Sequence, residues 1–223
     1  MIMNLPDIIK AAEGRYLALL ESFFNARWRD TRLWSHDLSH HRRVWQYAKE
    51  LLSFTYNAQE EDFIDELLIA CYLHDIGMAE DRGEKHGINS RKLCEKFLAG
   101  INKHPDDFAD LLNVIECHDN KSYSGSPVQG RLFLLLSAAD DLDAFGYTGI
   151  YRYLEIYLAR GIEPGKIASL ILKNATSRFE YFERNFGNYP ELISSHRKRY
   201  NVLRDFFQNL ESEFSTKSKA LRR

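Results

Sequence analysis

Histidines and carboxylates with the types for metal chemistry form a series along this 223-residue chain: His36, Asp37, His40 and His41, then His74 and Asp75, His86, then Glu116, His118 and Asp119, and last Asp140, Asp141 and Asp143. They lie in the stretches "SHDLSHHRRVW", "LHDIG", "EKHGINS", "IECHDNKSY" and "AADDLDAFG". His74 and Asp75 come at the end of the strongly apolar run "LLIACYLHDIGMAED". Adjacent helical residues point about 100° apart, so the pair does not share one solvated face. It is either a buried hydrogen-bonded knot or a holder of something that needs both groups, and a metal ion is the obvious candidate. Neutral imidazoles mixed with carboxylates suit Fe, Mn, Co, Ni or Zn, whereas an all-oxygen set would suggest Mg or Ca. A carboxylate can bridge two ions through its two oxygens and an imidazole cannot, which makes Asp75 the natural bridge. Two cations about 3.5–4 Å apart acidify a shared water and clamp a phosphoryl group during in-line displacement.

The elements that must position these groups read as helices throughout. Apolar residues recur at three- and four-residue spacing in Ile8–Phe24, Val44–Phe54, Phe63–Leu73, Leu93–Leu98, Phe108–Ile115, Leu132–Leu142, Ile150–Leu158, Ile167–Phe182 and Leu192–Leu210. Only "RLFLLLSAAD" would pass as a buried strand, and its lack of β-branched residues argues for helix. Glycine and proline punctuate the runs at Gly77, Gly83, Gly87, Gly100, Pro105, Gly130, Gly161 and Pro190. Every candidate ligand falls at the end of a helical run or beside a glycine. Helix ends can converge on one point, whereas mid-helix side chains spread along an axis. The expectation is an all-α fold: one helical-bundle domain over residues 1–223, gathering His and Asp from several helices into a cage. The basic end "STKSKALRR" reads as a solvated helix terminus favoured by the helix dipole.

Bulk composition narrows the partners. An apolar fraction of 44% and an aromatic fraction of 13% belong to a globular protein. A formal net charge of −2 gives no electrostatic case for a nucleic acid polymer or an anionic membrane as partner. No apolar run is long enough to span a bilayer, and the start "MIMNLPDIIKAAEG" lacks the layout of a secretory signal, so a cytoplasmic location is expected. Cys71, Cys94 and Cys117 form no C-x-x-C spacing and read as buried free thiols.

The ordered set His40, His74-Asp75 and Asp140 resembles the HD-domain superfamily of metal-dependent phosphohydrolases. "SHHRRVWQYAKEL" looks like that family's opening helix, with a ligand His followed three residues later by Arg and then Val. "ACYLHDIG" resembles its second helix, and "SAADDLDAFGYTGIYR" its last ligand helix. The resemblance covers about residues 35–152, which places an HD-like core at about 35–160 with added helices at either end. It implies one divalent transition-metal ion held by His40, His74, Asp75 and Asp140, and a second held by Asp75, His86 and His118. The implied activity is hydrolysis of a small anionic phosphorylated metabolite, with a nucleotide as first choice, by a metal-activated hydroxide. Two departures stand out: Ala138 replaces the first Asp of an Asp-Ala-Asp motif, and Met78 follows "HDIG" where the family often has a basic residue.

Supporting roles follow with less force. His36 lies one turn before His40 and reads as a neighbour that orients a ligand, with Asp37 as a helix cap. Asp143, like Asp141, is a candidate for the same supporting role. Glu116 shares a turn with His118 and either serves the site or faces solvent. For the substrate phosphate the order is Lys121, Arg43 and Lys85, with Arg42 and Arg152 behind them, because charge develops on phosphoryl oxygens. Tyr123, Phe145 and Tyr147 would serve for stacking on a base, although core packing is the default for aromatics. His41, His104 and His196 read as surface residues. The same ligands would also serve a mixed-valent di-iron oxygenase or a non-catalytic metal- or ligand-binding module.

Overall fold

The computed structural model describes residues 4–56, 61–83, 85–119 and 130–220 of the protein. All nine apolar runs lie in helices, and no strand occurs among the described residues. The helices are α1 (Leu5–Trp28), α2 (Leu38–Thr55), α3 (Glu61–Leu73), α4 (His86–Gly100), α5 (Ala109–Cys117), α6 (Arg131–Asp143), α7 (Gly146–Ala159), α8 (Pro164–Phe186) and α9 (Pro190–Ala220). Most extend a few residues past their apolar runs, whereas the run from Phe108 begins in a 3₁₀ turn, Pro105–Phe108, ahead of α5. Asn4 caps α1 by accepting from the Asp7 amide, and Asp37 caps α2 by accepting from the amides of Ser39 and His40, as its sequence position suggested. Among the described residues, no helix is long and apolar enough to cross a membrane.

The chain forms two compact units, Met1–Arg32 with His36–Asp140, and Leu33–Ser35 with Asp141–Arg223. In the first, α3 is the central helix. Its residues Leu67 to Leu73 are all buried, so no polar face remains, and α1, α2, α4 and α5 all pack on it. The apolar stripe of α1 (Leu20, Phe24 and Trp28) faces inward, and the Trp28 indole donates to the Ile76 carbonyl at 3.1 Å. That bond ties the end of α1 to the short 3₁₀ turn Ile76–Ala79 that follows Asp75.

In the second unit, α9 packs against α7 and α8. Phe179 stacks on Tyr200 with ring centroids 4.5 Å apart. His196 is buried here, against the surface position expected for it. It sits on the same face of α9 as Leu192, Leu203 and Phe207, at spacings of one, two and three helical turns, and its ring meets Phe182 edge-on at 5.5 Å. His104 is exposed, as expected. Of the three thiols, Cys71 and Cys94 are buried, but Cys117 is partly exposed in the last turn of α5.

Candidate metal centre

The helix ends of the first unit place their polar side chains around one carboxylate. Asp75 is 5% exposed, and its two oxygens face different imidazoles. Oδ2 lies 3.3 Å from His74 Nε2, 3.6 Å from His40 Nε2 and 3.7 Å from His36 Nε2. Oδ1 lies 2.9 Å from His118 Nε2 and 3.6 Å from His86 Nε2. Asp140 Oδ1 completes the first side, 3.8 Å from His40 Nε2 and 4.0 Å from His74 Nε2. The potential ligand atoms of His40, His74, Asp75 and Asp140 lie within 4.8 Å of one another, and so do those of Asp75, His86 and His118. These are the two groups that the family resemblance implied, brought together from residues a hundred positions apart.

Local backbone geometry fixes how the imidazoles point. His74, His86 and His118 each direct Nδ1 at the carbonyl three residues earlier: Cys71 at 3.2 Å, Gly83 at 2.5 Å and Ile115 at 2.7 Å. A carbonyl only accepts, so Nδ1 is the donor, and Nε2 of each ring is turned toward Asp75. Cys71 and Ile115 lie in the last turns of α3 and α5, where carbonyls lack intrahelical partners, so the imidazoles also cap those helices. Such anchoring of the second nitrogen is what metal-binding histidines require.

The electrostatics agree with a cation site. Burial alone would raise the Asp75 pKa, but the neighbouring His74 and His118 hold it well below the ordinary carboxylate value. Burial lowers the His74 pKa, with Asp75 only partly offsetting it. At His118 burial also opposes charge, yet Asp75 prevails and the pKa is raised. With Nδ1 on a carbonyl, His118 directs Nε2 at Asp75 Oδ1 from 2.9 Å, on the side where a cation would sit. Converging Nε2 atoms and a buried shared carboxylate therefore fit one or two divalent transition metals.

The remaining expectations divide. His36 is buried beside Asp75 at the distance given above. Glu116 pairs with Arg91 at 2.7 Å, the structural alternative to a site role. Asp143 is fully buried and pairs with Arg152 at 2.9 Å. Arg43 donates to Ser39 Oγ at 2.9 Å, one turn back on α2. Arg42 is paired with Glu21 at 2.6 Å, and Lys85 is exposed just before His86. Phe145 is fully buried in the second unit, whereas Tyr147 is exposed. Lys121 and Tyr123 lie outside the described residues.

His41 is corrected from exposed to fully buried. Its ring packs on Phe24 with centroids 4.6 Å apart, and its Nδ1 shares the Cys71 carbonyl at 3.1 Å. Burial, then His40 and His74, lower its pKa well below the usual histidine value, so it is a neutral donor to that carbonyl. The signal was present in the sequence: His41, Val44, Trp45, Ala48 and Leu52 form one continuous stripe on α2. His40, His41 and His74 form a third group of close nitrogens. Without a carboxylate it would leave a divalent charge unbalanced and is the poorer site.

Two glycines permit this assembly. A Cβ on Gly77 would meet the His86 carbonyl oxygen at 2.3 Å, and one on Gly87 would meet the Glu116 carbonyl oxygen at 2.3 Å. Gly87→Ala must therefore push α4 off the end of α5 and separate His86 from His118. It is expected to destabilise the protein by about 1–3 kcal/mol, the usual range for overpacking. Metal titration should lose the Asp75–His86–His118 group and keep the other. A variant with wild-type denaturant midpoint and metal stoichiometry would contradict that assignment.

An all-α fold with imidazoles and carboxylates buried at converging helix ends defines an HD-type protein. The chain belongs to the HD-CE family, an HD-domain-related family whose profile matches residues 16–210. The match reaches well beyond the 35–152 stretch in which the motifs are legible. The chain is also similar to a crystal structure from Lactobacillus plantarum, a structural-genomics target, with a TM-score of 0.61 and 18% identity. That similarity covers 90% of this chain and 97% of the other, and at this identity it speaks for the fold. No curated protein matches the chain.

Proposed function

We propose that the protein is a metal-dependent phosphohydrolase acting on a small phosphorylated metabolite, with nucleotides as the leading substrate class. The observation that carries this reading is the division of Asp75: Oδ2 toward His40 and His74, Oδ1 toward His86 and His118. A carboxylate facing imidazoles on both sides suits a bridge between two cations, one held by His40, His74, Asp75 and Asp140, the other by Asp75, His86 and His118. Bound there, divalent cations would supply Lewis acidity toward phosphoryl oxygens and lower the pKa of a shared water.

The protein's own residues supply the rest. Backbone carbonyls hold His74, His86 and His118 with Nε2 inward, so little reorganisation is needed on loading. Burial of His40 and His74 keeps bulk water from competing for those nitrogens. Two carboxylates carry −2 against the +4 of two divalent ions, and the excess positive charge attracts an anionic substrate. Arg43 and Lys121 are the residues proposed to meet its phosphate.

Metal analysis of protein purified without added metals, followed by a phosphate-release screen across nucleotides with Mn, Co, Ni and Fe, tests the reading. Phosphate release with at least one metal is expected. A coloured iron protein that consumes O₂ and releases no phosphate would replace this reading with the di-iron oxygenase. Metal binding without either reaction would leave a non-catalytic module.

A further inference from the structure

Two candidate site residues lie close in sequence to a single buried arginine's partners. Arg152 on α7 is 6% exposed. Its Nε donates to the Ser35 carbonyl at 2.8 Å, and its NH1 forms an ion pair with Asp143 Oδ2 at 2.9 Å. Ser35 immediately precedes His36, and Asp143 follows Asp140 by three residues on the same helix, α6. Ser35 and Asp143 are 0% exposed. Glu155, one turn along α7 from Arg152, accepts from the backbone amides of Trp34 and Ser35. One turn of α7 thus grips the chain just before His36 and the helix just after Asp140.

We infer that Arg152 is a positioning residue for the candidate metal centre, fixing the backbone that carries His36 and Asp140 through its simultaneous hold on Ser35 and Asp143. The inference rests on the reading of His40, His74, Asp75 and Asp140 as metal ligands. A guanidinium suits the task because its charge stays fixed while Nε hydrogen-bonds one partner and NH1 is ion-paired with the other. Both anchors are close to the site along the chain. Ser35 is one peptide from His36, whose Nε2 is 3.7 Å from Asp75 Oδ2. Asp143 is one helical turn from Asp140, whose Oδ1 is 3.8 Å from His40 Nε2. Loosening either anchor lets a cage-lining side chain drift while the rest of the cluster stays in place. This role differs from the phosphate contact considered for Arg152 from the sequence, because the side chain is buried on two protein partners.

The test is calorimetric Mn²⁺ titration of full-length protein, alongside thermal unfolding of the metal-free form. The variants are Arg152→Lys and Arg152→Met, with Ile171→Ala as a control. Ile171 is a buried residue of α8 in the same unit. Arg152→Met is expected to weaken Mn²⁺ binding by about 10- to 100-fold, the usual effect of removing a group that orients a ligand. Arg152→Lys should shift it in the same direction by a smaller factor, and it keeps the test available if the methionine variant does not fold. Ile171→Ala should lower the unfolding midpoint while leaving the Mn²⁺ Kd within twofold of wild type. A purely structural role would make the Kd follow the midpoint in all three variants, which overturns the inference, as would wild-type Kd values in both Arg152 variants. Wild-type protein that binds no Mn²⁺, Fe²⁺, Co²⁺ or Ni²⁺ overturns the ligand reading and this inference together. Wild-type binding with unaffected Arg152 variants overturns the inference alone.

Discussion

Asp75→Ala is expected to empty both candidate cation groups at once and to lower turnover by at least about a thousandfold, equivalent to about 4 kcal/mol of barrier. The reason is position. In the first group Asp75 is the carboxylate nearest the imidazoles, with Oδ2 3.3 Å from His74 Nε2. His86 and His118 have Asp75 as the carboxylate that completes their group, with Oδ1 2.9 Å from His118 Nε2. Removing it takes a ligand from each group and the negative charge that both share. Asp75→Asn keeps the volume and one acceptor oxygen but loses the charge, so it should retain weak binding on one side. Two companions sharpen the result. Asp140→Ala should remove only the first ion and His86→Ala only the second, each leaving measurable metal by elemental analysis. Circular dichroism guards against global unfolding. A folded Asp75→Ala protein with full metal content and turnover would dismantle the cage as described.

What the sequence made legible follows from where its signals are strong. Helical periodicity is a property of every buried helix, so all nine apolar runs lie in helical segments, with Phe108 in a 3₁₀ turn ahead of α5. The convergence of the candidate histidines and aspartates was legible because such a residue at the end of an apolar run is costly to bury without a partner, and few arrangements satisfy it. His41 and His196 were misread for the opposite reason: a lone histidine has no required partner, and only its place in a helical stripe reveals that it is buried. The arginines were the least legible. Arg178 and Arg199 look like ordinary surface residues, since charged side chains normally face water, and Arg152 reads only as a lower-ranked candidate for the substrate phosphate. Their acceptors, Asp141, Asp143 and the carbonyls of Leu142 and Phe145, come from a stretch whose acidic residues drew attention to the metal site instead. The Arg178 and Arg199 pairings span tens of residues and leave no local trace. Neither was the division into two units visible, because α6 runs unbroken through residue 140 and carries the last candidate ligand beside the first residue of the second unit.

That same stretch predicts the largest stability effect. Asp141 has no solvent exposure, and Arg178 NH1 of α8 lies 2.6 Å from its Oδ1. Arg178 is held in place by a second bond, from Nε to Asn174 Oδ1 at 2.8 Å, and Asn174 in turn accepts from the Tyr153 hydroxyl at 2.6 Å. Removing one member of a buried pair strips the other of its compensating charge, which typically costs about 3–5 kcal/mol. Arg178→Met, which preserves much of the apolar stem, should therefore unfold the metal-free protein roughly 10 °C lower, given about 2–4 °C per kcal/mol for a chain of this size. The decisive comparison is a double-mutant cycle with Asp141→Asn. If the cost is that of a stranded carboxylate, the double variant should be more stable than Arg178→Met alone, because the neutral amide no longer demands a cation. Additive losses would assign the effect to packing of the arginine stem, and an Arg178→Met midpoint within 2 °C of wild type would remove the ion pair from the stability of this unit altogether.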